Sequence, residues 1–204
     1  MPSASRQRLE IVWLAVLFEG GLAVLAWIVG WLTGLRPLAR IHWNGWDALL
    51  GVAACVPLLL IFYLCIRWPV GPLARIKAFS EQVIRPLFRY CGVLDFAVIS
   101  LLAGLGEEML FRAVLQDFLV EKLNGWLGLI IASALFGLLH LITPTYAVLA
   151  GVMGAYLGWV WMRTDNLLVV MIAHGLYDFL ALLYLVRWLP RQGGVSYKAE
   201  CEVP

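Results

Sequence analysis

The chain has 204 residues, 63% of them hydrophobic and 14% charged, with a formal net charge of +2 and a mean hydropathy of +0.88. A soluble domain of this size carries roughly 45–50% apolar and about 25% charged residues, so the composition excludes an ordinary soluble domain and points to an integral membrane protein. The small net charge gives no basis for a nucleic-acid partner.

In chain order, the first ten residues carry Arg6 and Arg8, and an apolar run then extends from Ile11 to Leu35. A secretory signal has an apolar region of about 7–15 residues before its cleavage site. This run is longer, so a retained membrane helix is expected over 11–35. Further spans, each near the ~20 apolar residues needed to cross a bilayer, are expected over 47–67, 93–121, 126–142, 145–163 and 166–187. The expected fold is therefore all-α, a polytopic bundle of about six transmembrane helices.

Between the second and third spans lies "GPLARIKAFSEQVIRPLFRYCG". At 100° per residue, Leu73, Ile76, Phe79, Val83, Leu87 and Tyr90 gather on one side. Arg75, Lys77, Glu81, Arg85 and Arg89 gather on the other. That separation describes an amphipathic helix in the membrane surface, which Pro86 is expected to bend or break. The chain divides into 1–92 (two spans and the interfacial helix), 93–187 (a polar-centred core) and a tail, 188–204. Trp13, Trp31, Trp43, Trp46, Trp68, Trp126 and Trp188 fall near run ends, as an aromatic belt would place them. Cys55, Cys65, Cys91 and Cys201 form no CxxC pair and read as reduced packing residues.

Lysine and arginine number ten on the side of the amino terminus, the interfacial helix and the tail, against four (Arg36, Arg40, Lys122, Arg163) on the other. Both termini are thereby expected in the cytoplasm, which is a plasma (inner) membrane topology if the chain is bacterial.

Ionisable groups inside apolar spans mark functional sites. The third span holds Glu107, Glu108 and Arg112 in "GLGEEMLFRAVLQ"; the fourth holds His140; the sixth holds His174 and Asp178. Glu108 and Arg112 are four apart, glutamate first, the better orientation for a helical ion pair. Glu107 is rotated about 100° away and is left to face another partner, for which His140 and His174 are available. A carboxylate as general base, with histidines and a carboxyl to steady water and an oxyanion, is a plausible hydrolytic set. Glu19, another intramembrane charge that can line an interior cavity or snorkel outward, belongs to no motif and is expected to be structural; the glycines Gly151, Gly154 and Gly158 are expected to serve close helix packing. Asp95 and Asp117, near the ends of the third span, are expected to be solvated or capping.

"EEMLFR" fits EExxxR, "FGLLH" fits FxxxH, and "HGLYD" fits a histidine followed four residues later by Asn or Asp. In this order and on three helices, they resemble the CPBP intramembrane proteases, the family of CAAX-processing and bacteriocin-immunity (Abi-type) proteins. The resemblance covers 93–187. It implies a helix bundle around a conical cavity, with Glu107 activating water, His140 holding it, and His174 with Asp178 forming the oxyanion site. Glu108 with Arg112 would lock the helix. In CAAX-processing members the last position is asparagine; an ionised aspartate cannot donate a hydrogen bond, so Asp178 must be protonated or act by orienting His174. The implied substrate is a membrane protein or a lipidated or prenylated peptide, with membrane lipid as surroundings. No cofactor is expected; two carboxylates and two histidines could also hold a divalent metal, but HExxH is absent. Two other readings are a non-proteolytic scaffold or immunity protein of the same fold, which predicts eroded motifs, and a proton-relaying transporter, which predicts inverted repeats.

Overall fold

A computed structural model describes residues 3–189; the expected tail, apart from its first two residues, and Cys201 lie outside the described residues. Seven helices and no strand are found among the described residues. Helix α1 spans Ala4–Thr33, opened by the Ser3 hydroxyl accepting from the Arg6 amide and closed by Gly34 at φ 79°. Helix α2 spans Gly45–Arg67 under an Asn44 cap. Helix α3 runs over Pro72–Phe88 and α4 over Val93–Lys122, with a 114° bend between them. Helix α5 is Gly125–Leu139, capped by Asn124; α6 is Pro144–Thr164, capped by Thr143; α7 is Leu167–Trp188, capped by Asn166. Side-chain oxygens thus occupy five helix starts, where unpaired amides need an acceptor.

Four helices, α1, α2, α6 and α7, are long and apolar enough to cross a membrane, and the α3–α4 pair makes a fifth if its bend is one broken span. Two of the six expected spans fall short by themselves. Helix α4 carries Glu107, Glu108 and Arg112 at its middle. Helix α5 has 15 residues, about 22 Å at 1.5 Å per residue, against a hydrocarbon thickness of about 30 Å. Pro86 does not break α3. A π-helical stretch over Ser80–Ile84 precedes it, so a widened turn and not a break accompanies the proline's missing amide donor, and the helix continues through Arg85–Phe88.

Helix α4 lies between α1 and α7; α7 packs also on α2, α5 pairs with α6, and α3 crosses the ends of α2 and α6. The polarity is that of a protein solvated by lipid. Leu14, Leu17, Leu101, Leu139 and Val148 are exposed, whereas Glu108, Arg112, Gln116 and His174 are buried. Tryptophans 13, 31, 43, 46, 68, 126 and 188 are all exposed. Cys55, Cys65 and Cys91 are free and buried.

Each end of the bundle is tied by polar contacts. At one, Arg8 donates through Nε (2.6 Å) and Nη2 (2.8 Å) to the Asp95 carboxylate, which also caps the Gly92 amide. Arg187 donates to the Cys91 carbonyl there. Of the two expected roles for Asp95, solvated or capping, the structure shows the second: it is buried and caps the helix while paired. At the other end, Arg40 pairs with Asp165 and approaches Asp117, which accepts from the Trp161 indole. Asn166 bonds both the His42 backbone and Asp47.

Glycine sets the central crossing. A Cβ at Gly104 would lie 2.8 Å from the Met171 carbonyl oxygen and 3.0 Å from the Gly175 amide, so α4 and α7 touch backbone to backbone. Overpacking of this kind costs typically ~1–3 kcal/mol. Gly104→Ala is therefore expected to lower the melting temperature in detergent, whereas Gly20→Ala, where a Cβ meets nothing within 4 Å, is expected to leave it unchanged or raise it slightly. Equal melting temperatures for the two variants would refute the crossing.

Candidate active site

Helix α4 remains α-helical to Glu108 and widens to a π-helix over Met109–Gln116. Glu107 and Glu108 are the last two residues before that change, and they diverge. Glu108 turns into the protein. Its Oε2 lies 3.1 Å from Arg112 Nε, and the two side chains are 0% and 1% exposed. The two atoms are at ion-pair distance without hydrogen-bond alignment, so the pairing is chiefly Coulombic. Glu108 Oε1 lies 2.7 Å from His174 Nδ1. The sequence left both histidines available as partners for Glu107. The structure gives His174 to Glu108, because the close α4–α7 crossing at Gly104 and Gly175 brings the inner face of α7 against the inner face of α4.

Glu107 faces a cavity of about 300 Å³, which His140, His174 and Asp178 also line. His140 Nε2 is 3.8 Å from Glu107 Oε2, and His174 Nε2 is 3.5 Å from Asp178 Oδ2. Thus Glu107, His140, His174 and Asp178 meet on one cavity, while Glu108 and Arg112 lie behind its wall. No three His, Cys, Asp or Glu side chains among the described residues form a metal-holding group.

The shortness of α5 positions His140. The helix ends at Leu139, and the His140 amide turns back to Gly137. The Phe136 carbonyl, left without its helical donor, is 2.8 Å from the His140 ring Nδ1. A carbonyl only accepts, so Nδ1 carries the proton and Nε2 presents its lone pair to the cavity when the ring is neutral. A carboxylate likewise accepts, so Nδ1 of His174 donates to Glu108 and its Nε2 is directed to the cavity. Phe136 joins these groups. Its ring stacks on His140 at 4.4 Å and 28° and lies beneath the Arg112 guanidinium at 4.9 Å, a cation–π contact.

Three lining residues lie outside the set that the motifs assign to the site. Glu19, expected to be structural, faces the cavity from α1. Tyr146 and Tyr177 also line it, the latter inside the "HGLYD" stretch that was read only for its histidine and aspartate. From α3, Ile76, Phe79, Ser80 and Ile84 close one side, so the amphipathic helix covers the site with its inward face. Val83 and Leu87 remain exposed.

Residues 90–180 match the family model described as type II CAAX prenyl endopeptidase Rce1-like. This is the family that the three motifs resemble, on the same segment. No curated protein and no solved structure matches the chain.

Removing one partner of a buried charge pair costs roughly 3–5 kcal/mol. Glu108→Ala strands both Arg112 and the Nδ1 donor of His174, whereas Glu107→Ala strands no dedicated counter-ion. The melting temperature in detergent is expected to fall more for Glu108→Ala, and equal falls would count against the separate roles of the two glutamates.

Proposed function

Proceeding from that kinship, we propose that this multi-pass membrane protein is an intramembrane endopeptidase in which Glu107 activates water against a peptide bond of a membrane-associated or lipidated substrate. The observation that carries the reading is the convergence of Glu107, His140, His174 and Asp178 on one cavity. In the proposed reaction the Glu107 carboxylate takes a proton from water as the water oxygen bonds to the scissile carbonyl carbon. His140 Nε2, across from Glu107 Oε2, holds that water by its lone pair. The carbonyl oxygen becomes an oxyanion and is met by donors from His174 and Asp178. The C–N bond then breaks, and the proton held by Glu107 passes to the leaving amine.

Charge balance favours this division. Arg112 and Glu108 cancel. An imidazolium at His174 donates from Nδ1 to Glu108 and from Nε2 toward the cavity, supplying one positive charge to the oxyanion. Asp178 as a neutral acid adds a second donor. Since asparagine keeps a donor in the same place, Asp178 fills the role that asparagine fills in the CAAX-processing members. The lysine and arginine bias puts the termini and α3 on the cytoplasmic side, where the substrate would enter beneath α3.

Turnover of a lipid-embedded peptide tests the reading. Glu107→Gln, which keeps the shape and loses the base, is expected to reduce kcat about 10²–10⁴-fold without lowering the melting temperature. Full turnover by this variant would end the proposal.

The role of Asp178 has its own test. Asp178→Asn is expected to retain turnover over a pH series in which Asp178→Ala loses it. Matching losses in the two variants at every pH would instead make Asp178 an anion that orients His174.

A further inference from the structure

Helix α1 brings a carboxylate to the cavity from outside the matched segment. Glu19 lies midway along α1 and lines the same cavity as Glu107. Its place is set by backbone packing. The Glu19 carbonyl oxygen presses on Gly106, the residue before Glu107, so closely that a Cβ there would collide with it. The two glutamates therefore stand on touching turns of α1 and α4. The Oε2 atoms of both are buried and have no hydrogen-bond partner, and Glu107 is 8% exposed.

The one positive charge that the proposed mechanism puts in the cavity, at His174, is directed to Glu108 through Nδ1 and to the oxyanion through Nε2, and neither atom answers Glu19 or Glu107. Asp178 adds a third carboxyl, and no lysine or arginine lines the cavity among the described residues. Arg112 is engaged by Glu108 and Phe136. The histidines have committed one nitrogen each, to the Phe136 carbonyl and to Glu108. A buried carboxylate is costly unless a cation or donor reaches it. The remaining walls, including Phe62, Phe79 and Met153, suit the methylene stem of a long basic side chain whose charged head lies at a carboxylate.

We infer that Glu19 is a specificity-determining residue that receives a lysine or arginine side chain of the substrate beside the scissile bond. The inference rests on the endopeptidase reading for its biological meaning, but the recognition itself is measurable without cleavage.

The test uses the full chain in zwitterionic nanodiscs and three short lipidated peptides, alike except for one residue that is Lys, Gln or Glu. Wild type is expected to bind the Lys peptide about tenfold more tightly than the Gln peptide, the scale of a single desolvated charge pair. E19Q is expected to bring that ratio to about one, E19D to keep the preference for Lys, and E19K to favour the Glu peptide. The melting temperature of each variant verifies that it is folded. A wild-type ratio retained by E19Q, or equal binding of all three peptides by wild type, would overturn the inference. Cleavage is scored on the same peptides. Charge-selective binding with no cleavage would remove the endopeptidase reading and leave the recognition site standing. Cleavage with no charge preference would do the reverse.

Discussion

The buried chain Arg112–Glu108–His174 is the interaction on which the rest of the structure depends. Charge inside a membrane bundle is expensive unless it is paired, and Glu108, with no exposed surface, has both Arg112 and His174 within reach. One of these partners is on its own helix and the other is on α7. The pairing therefore does more than neutralise α4: it ties α4 to α7 in a single register. Phe136 extends the tie to α5 by lying under Arg112 and stacking on His140. Three helices that could slide in an apolar medium are held by one polar chain and one aromatic ring.

This arrangement separates two adjacent glutamates into different tasks. A rotation of about 100° per residue turns Glu108 inward to the ion chain and Glu107 toward the cavity. Glu107 is consequently left without a counter-ion of its own. The termination of α5 after 15 residues has a matching role. A full-length helix would carry residue 140 onward within a regular turn. Here the helix end places the His140 ring opposite Glu107, and the orphaned Phe136 carbonyl selects its tautomer.

The cavity is built from more of the chain than the motif-bearing helices. Helix α3 covers it with Ile76, Phe79, Ser80 and Ile84, and α1 adds Glu19. The amphipathic segment is thus a wall of the site as well as a surface helix. Its outward residues Val83 and Leu87 stay apolar and exposed, which suits a helix lying in the membrane surface.

Much was legible in the sequence because it concerns periodicity within one helix. The apolar runs and the four-residue spacings of Glu108 with Arg112 and of His174 with Asp178 follow from local geometry and the cost of unpaired polar groups in lipid. The membership of Glu107, His140, His174 and Asp178 in one set was readable from three motifs in order. What the tertiary structure alone decided concerns distances between helices. The partner of His174 is Glu108 because Gly104 and Gly175 let two backbones touch. Glu19 reaches the cavity because α1 presses on Gly106. A sequence specifies which face of a helix is polar; which face of another helix meets it depends on close packing among residues far apart in the chain, and no periodicity records that.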